Sequence, residues 1–203
     1  EYILNLPNKL TILRVVLIPF MMFFYLADFI PYGIGKLIAL AIFIIASLTD
    51  MLDGQIARKR NLVTNFGKFL DPIADKMLTS AMLFMLVADQ TIPSPWGAII
   101  ITIIISREFM VSALRLLVAS KGTVLAADWW GKIKTIVQMI AIPVCVVLSY
   151  LYTCGLNVPN ALTLTFEILS YVLIGLATVL TVISGANYIV KNRHAFKEDT
   201  KQD

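Results

Sequence analysis

Histidine and cysteine are nearly missing from this chain: 203 residues hold one His and two Cys. His194 lies in a charged C-terminal tail, where a solvated surface role is expected, and Cys145 and Cys154 stand nine residues apart in one apolar run. That spacing fits neither zinc ligation nor a disulfide, because a helix cannot close a bridge over such a distance. With no plausible Cys or His nucleophile, covalent catalysis is poorly supported. Charge is scarce as well, at 15% of residues against 59% hydrophobic ones, with a mean hydropathy of +0.83. Soluble globular domains rarely approach that balance, so the composition reads as an integral membrane protein. Ser-, Pro- or Gly-rich linkers, low-complexity tracts and internal repeats are absent too. One all-α membrane bundle, a single domain over residues 1–203, is the expectation.

What the chain does have is long apolar runs. Crossing the roughly 30 Å hydrocarbon core takes about 20 helical residues. Six stretches qualify, approximately 10–30, 36–57, 69–89, 96–119, 133–154 and 163–190. The first carries Lys9 and Arg14, is too long for a signal peptide and lacks a small-residue cleavage pattern. Residues 1–9, apolar at Tyr2, Ile3, Leu4 and Leu6 before Pro7, are expected to form a short interfacial segment. Basic residues set the orientation. Lys36 alone falls on the side of 31–35, 90–95 and 155–162, whereas Arg58, Lys59, Arg60, Lys68, Lys121, Lys132, Lys191, Arg193, Lys197 and Lys201 fall on the other. An even number of spans then places both termini in the cytoplasm. The net charge of +4 reads as a topology signal and an anionic-lipid preference, not as nucleic-acid binding.

Against that apolar background, four aspartates stand out. Asp50 and Asp53 end the second stretch and Asp71 and Asp75 begin the third, spaced i,i+3 and i,i+4 around a short basic loop. Each pair occupies one helical face. A hairpin centred between Leu62 and Val63 sets Asp53 opposite Asp71 and Asp50 opposite Asp75. Ionised carboxylates within a bilayer are costly and are normally paired, hydrated or holding a cation. Four that converge call for metal, and hard oxygen donors suit Mg²⁺. Two such ions could clamp an in-line displacement. Gly54 and Ala57, at i+4 and i+7 from Asp50, leave a slot in which a flat or phosphorylated group can approach the backbone. Arg58 adds a planar donor for phosphate oxygens. Gly67 is expected to permit the turn into the next helix, and Pro72 to sit in its first turn.

The run Asp50-x₂-Asp53-Gly54-x₂-Ala57-Arg58-x₈-Gly67-x₃-Asp71-x₃-Asp75 resembles the signature of the CDP-alcohol phosphotransferase family at every fixed position. The six apolar stretches make a six-helix membrane bundle, and the basic-residue bias puts this aspartate site at its cytoplasmic side. The resemblance implies transfer of a phosphatidyl group from a CDP-activated lipid to an alcohol, with CMP leaving. It makes Asp50, Asp53, Asp71 and Asp75 the metal-binding aspartates, with Mg²⁺ as two ions (or Mn²⁺), and Asp75 the general base. Gly54, Ala57, Arg58 and Gly67 become the positions that accommodate the cytidine diphosphate, and a homodimer in the cytoplasmic membrane is expected.

A second basic set lies at the same mouth. Arg107 and Arg115 share the fourth stretch, Glu108 supplies a carboxylate that could pair with a neighbouring cation and keep Arg107 ordered, and Lys132 and Lys134 open the fifth. Convergent Arg and Lys there suggest an acceptor with its own phosphate; snorkelling topology anchors are the plainer alternative for the two lysines. The runs Ile105-Ser106-Arg107-Glu108-Phe109 and Gly131-Lys132-Ile133-Lys134-Thr135, with the opening Asn5-Leu6-Pro7-Asn8-Lys9-Leu10-Thr11 and Arg14, are similar to the bacterial phosphatidylglycerophosphate synthase branch of the family. That branch implies CDP-diacylglycerol as donor, held also by Asn8 and Thr11, and sn-glycerol 3-phosphate as acceptor, held by Arg107, Arg115, Lys132 and Lys134. Phosphatidylserine, phosphatidylinositol-phosphate and cardiolipin synthases stay open within the family. Outside it, a cation transporter or a non-catalytic lipid-binding scaffold stays open. Transporter sites tend toward the midplane on broken helices, whereas these aspartates all lie near one side.

Overall fold

The computed structural model describes residues 6–59, 65–120, 129–155 and 158–191, with side chains described outside 6–7, 51–66, 68–69 and 116–120 apart from Gly67. Every long element among them is helical: α1 (Leu6–Tyr25), α2 (Ile34–Lys59), α3 (Asn65–Ala88), α4 (Trp96–Ser120), α5 (Trp129–Thr153) and α6 (Asn160–Lys191). Five of these are long and apolar enough to cross a membrane. The exception is α3, whose apolar length is interrupted by Asp71, Asp75 and Lys76.

Buried positions recur every three or four residues, as a helix with one packed stripe requires. On α1 the stripe runs Asn8, Thr11, Arg14, Ile18, Met21 and Tyr25, polar at the first end and apolar beyond it. On α3 it runs Ala74, Leu78, Ala81, Met82 and Met85. The α6 stripe is built largely of small residues, Ser170, Ala177, Thr181, Ser184 and Gly185, and α6 packs most extensively on α5. Small side chains let membrane helices approach closely where lipid gives no hydrophobic drive. Gly35 shows how close: a Cβ there would stand 2.3 Å from the Phe24 carbonyl oxygen of α1. Bulky apolar side chains such as Phe20, Phe23, Ile45, Trp96 and Val179 face outward, which suits a lipid surround. α1 packs extensively on both α2 and α3. The first helix therefore touches both of the helices that carry the aspartates.

Several expected boundaries move. The first helix begins at Leu6, not 10, because Pro7 is suited to a first turn and Asn8, Thr11 and Arg14 already lie on the packed stripe. Residues 6–9 of the expected interfacial segment thus belong to α1, while 1–5 lie outside the described residues. The helix stops at Tyr25, well before residue 30, and the chain turns into α2 through left-handed Tyr32 (φ 59°) and Gly33 (φ 65°). α3 begins at Asn65, so Gly67 is a buried residue in its first turn and not the turn before it. Pro72 consequently lies beyond the first turn, where its ring removes the N–H that would bond the carbonyl of residue 68.

Candidate active site

α1 acts as a ruler for the aspartates. Thr11 donates its hydroxyl to Asp71 Oδ1 at 2.5 Å. Arg14 Nη1 lies 2.6 Å from Asp50 Oδ1, and Arg14 Nε donates to the Ala46 carbonyl at 3.3 Å. Thr11 and Arg14 are three residues apart on one face, so Asp71 of α3 and Asp50 of α2 are held against successive turns of the same helix. Arg14 is 1% exposed. A cation so deeply placed needs a partner in this environment, and Asp50 supplies it. Asn8 continues the same buried stripe one turn earlier. The connection that the structure describes between Asp50 and Asp71 therefore runs through α1.

A second cluster starts at Asp75. Lys76 Nζ lies 3.1 Å from Asp75 Oδ2 and 2.6 Å from Glu108 Oε2. The other oxygen of Glu108 accepts from Lys134 of α5 and lies 3.4 Å from Arg107 Nη1. One buried carboxylate thus gathers cations from α3, α4 and α5. The expected pairing of Glu108 with a cation holds, with two lysines in addition to its neighbour Arg107. Arg107 reaches the α5–α6 seam, where Gly131 and Gly185 leave room for it: a Cβ at Gly185 would stand 3.1 Å from Arg107 Cγ. Arg107 Nε is buried and has no hydrogen-bond partner among the described residues.

Lys132 and Arg115 stand apart from that core, whereas Lys134 belongs to it. Lys132 is exposed, with Nζ 6.0 Å from the Trp129 ring centroid, and Arg115 is exposed two turns beyond Glu108. Arg107 and Arg115 do not form one row, because eight residues turn a helix twice and about 80° more. Lys134 is wholly buried and bound to Glu108. Asp53, Gly54, Ala57 and Arg58 belong to α2, but their side chains lie outside the described ones, as does the pairing of Asp53 with Asp71.

Among the described residues, no group of three or more His, Cys, Asp or Glu side chains closes on one point; the four-aspartate set includes Asp53 and is not described as a whole. The chemistry of the three described members suits a hard divalent cation. Asp50 is paired with Arg14, and Asp71 and Asp75 each have one described protein donor, Thr11 and Lys76. A carboxylate offers about four lone-pair sites, so a single donor leaves Asp71 and Asp75 acceptor capacity for a cation. Asp50 and Asp75 are also 36% and 35% exposed at their side chains, open enough for a ligand to reach.

Two features escaped the sequence reading. Lys76 follows Asp75 directly, and the available signal was a cation deeper in α3 than either aspartate, after which the helix carries no further charge; an ionisable residue so placed in a membrane marks a functional site by default. The other lies at the far end. Lys36, the single basic residue expected on its side of the membrane, is 3.0 Å from Asp89 Oδ2, which also accepts from Tyr25 at 2.6 Å and from Ser149. A cavity of about 550 Å³ opens beside this cluster, lined in part by Tyr25, Lys36, Asp89 and Thr153.

Residues 4–183 match the family model described as CDP-alcohol phosphatidyltransferase. A relative from Bacillus subtilis (strain 168), named CDP-diacylglycerol–glycerol-3-phosphate 3-phosphatidyltransferase, is 44% identical over 208 residues, covering 95% of this chain and 97% of the relative. A relative of the same name from Haemophilus influenzae is 46% identical over 140 residues, covering 68% of this chain and 73% of the relative. One from Rickettsia felis, also of that name, is 35% identical over 184 residues, covering 91% and 93%.

Proposed function

The chain, a multi-pass membrane protein, belongs to the CDP-alcohol phosphatidyltransferase family, and we propose that it transfers the phosphatidyl group of CDP-diacylglycerol to sn-glycerol 3-phosphate, giving phosphatidylglycerophosphate and CMP. The observation that carries the acceptor is the charge balance around Glu108. Lys76, Lys134 and Arg107 bring three cations to two carboxylates, Glu108 and Asp75. The buried Arg107 Nε is an unspent donor as well. A buried donor without an acceptor is costly, and a phosphate entering beside it would supply both the acceptor and the missing negative charge.

In this reading the lipid donor enters sideways, with its acyl chains in the bilayer and its nucleotide over Gly54, Ala57, Arg58 and Gly67. Arg107 and Lys134, with Arg115 and Lys132 at the rim, hold the acceptor phosphate and leave the C1 hydroxyl near Asp75. Asp75 takes the hydroxyl proton as that oxygen bonds to the β-phosphorus. The phosphoanhydride bond breaks, and its electron pair leaves with CMP. Members of this family are in general dependent on divalent metal; Asp50, Asp53, Asp71 and Asp75 would hold it, as two Mg²⁺ ions, and it would supply neutralisation of the pyrophosphate charge. Thr11 and Arg14 fix the carboxylates Asp71 and Asp50 from behind. We also read α3 as a sixth span, the aspartate end as cytoplasmic with both termini, the whole chain as one domain in the cytoplasmic membrane, and the assembly as a homodimer.

The test is an acceptor panel with labelled CDP-diacylglycerol in mixed micelles. Glycerol 3-phosphate should give lipid product, and serine, inositol phosphate and phosphatidylglycerol should not. Product from one of those three and none from glycerol 3-phosphate would overturn the acceptor. Metal uptake by proteoliposomes without CMP release would move the protein to transport.

A further inference from the structure

We propose that Glu108 and Lys76 are positioning residues that lock the acceptor-phosphate cations to the catalytic base, an inference that rests on the acceptor reading above. Neither belongs to the family-like signature around the aspartates, and neither is needed to bind phosphate: one is an anion, and the other is spent on two carboxylates. Their value lies in what they join. Lys76 spans from Asp75 Oδ2, at 3.1 Å, to Glu108 Oε2, at 2.6 Å, and so links α3 to α4. The second oxygen of Glu108 holds Lys134 from α5 and faces Arg107. Glu108 is 6% exposed and Lys134 1%, so water cannot replace these contacts. The chain Asp75–Lys76–Glu108–Lys134/Arg107 therefore sets the distance between the base and the phosphate anchors. For an acceptor held at its phosphate, that distance decides whether its hydroxyl arrives at Asp75, and small misplacement is expensive in rate.

The sign of one substitution separates positioning from simple attraction. An anion inside a phosphate pocket repels phosphate. If Glu108 acted only through its charge, Glu108→Gln would raise the local positive charge and lower the KM for glycerol 3-phosphate. As an organiser it has the opposite effect. Without it Lys76, Lys134 and Arg107 repel one another, and the pocket loses its geometry.

Steady-state kinetics in mixed micelles read this directly. Glu108→Gln should raise the KM for glycerol 3-phosphate about tenfold or more, the worth of one charge-assisted hydrogen bond, while the KM for CDP-diacylglycerol changes by less than about twofold. Glu108→Asp should recover part of the loss. Lys76→Met should lower kcat by about tenfold through displacement of Asp75, and Lys76→Arg, which can still bridge two carboxylates, should recover most of it. The Lys76→Met/Glu108→Gln double variant should lose less than the product of the single losses, because both break one chain. An acceptor KM unchanged or lowered in Glu108→Gln overturns the proposal, as does an equal rise in both KM values. Should Glu108→Gln not fold, the Lys76 pair decides: equal loss in Met and Arg overturns it, and rescue by Arg upholds it. Active wild type with unmoved variants removes only the positioning role, whereas wild type inert toward glycerol 3-phosphate removes the acceptor reading itself.

Discussion

At the scale of single residues, the aspartates differ by what stands behind them. Asp75 has a lysine, Asp71 a threonine hydroxyl and Asp50 an arginine. A carboxylate placed to take a proton cannot be replaced by an amide. Asp75→Asn should therefore abolish nearly all CMP release while CDP-diacylglycerol binding, measured by equilibrium dialysis in micelles, stays detectable; unimpaired turnover would remove Asp75 as base. Thr11 orients Asp71 without carrying charge. Loss of a group that orients a metal ligand typically costs about 10–100-fold in metal affinity, so Thr11→Val should shift the Mg²⁺ titration of activity upward by about tenfold or more. Full activity after exhaustive chelation, in wild type, would sink the metal assignment altogether. The signature aspartates were legible in the sequence because charge inside an apolar run has few uses. Lys76 was not, since its role depends on α3 and α4 lying side by side.

Elements tell a different story. The six long helices were readable from apolar runs, and the errors fell at their ends, where polar residues decide. α1 was drawn from residue 10, yet its polar first turns are the part that touches Asp50 and Asp71. An apolar-run criterion discards such a segment, because its buried residues are Asn8, Thr11 and Arg14. The α2–α3 hairpin was expected to bring the aspartates together, and the side chains at its tip lie outside the described ones. What the structure adds is α1, which contacts both helices and which no pairwise register of α2 and α3 could disclose. Close α1–α2 contact depends on Gly35. Gly35→Val would drive a side chain into the Phe24 carbonyl oxygen and should destabilise the protein by about 1–3 kcal/mol, the usual cost of overpacking. A thermal-unfolding midpoint in detergent that equals the wild type would show that α1 and α2 are not so tightly seated.

Across the whole molecule, two polar clusters pin opposite ends of the bundle. One is the candidate active site. The other, Lys36–Asp89–Tyr25–Ser149, ties the end of α1, the start of α2, the turn after α3 and the end of α5. Its charged groups satisfy each other, so its role is structural. Removing one partner leaves a charge without compensation. Lys36→Met alone should cost about 3–5 kcal/mol, and pairing it with Asp89→Leu should restore much of that loss. Chemical denaturation of the single and double variants would check it, with equal loss in both counting against the clamp. A fixed far end lets the aspartate end carry a surplus of charge and still hold its shape. In the proposed reaction the acceptor hydroxyl itself displaces CMP at that end. Glycerol 3-phosphate carrying ¹⁸O in its C1 hydroxyl tests it most directly, with both products read by mass spectrometry. The label should appear in the phosphodiester bridge of phosphatidylglycerophosphate, with one unlabelled CMP released per lipid formed. Label in CMP, or lipid product without label, would contradict the displacement.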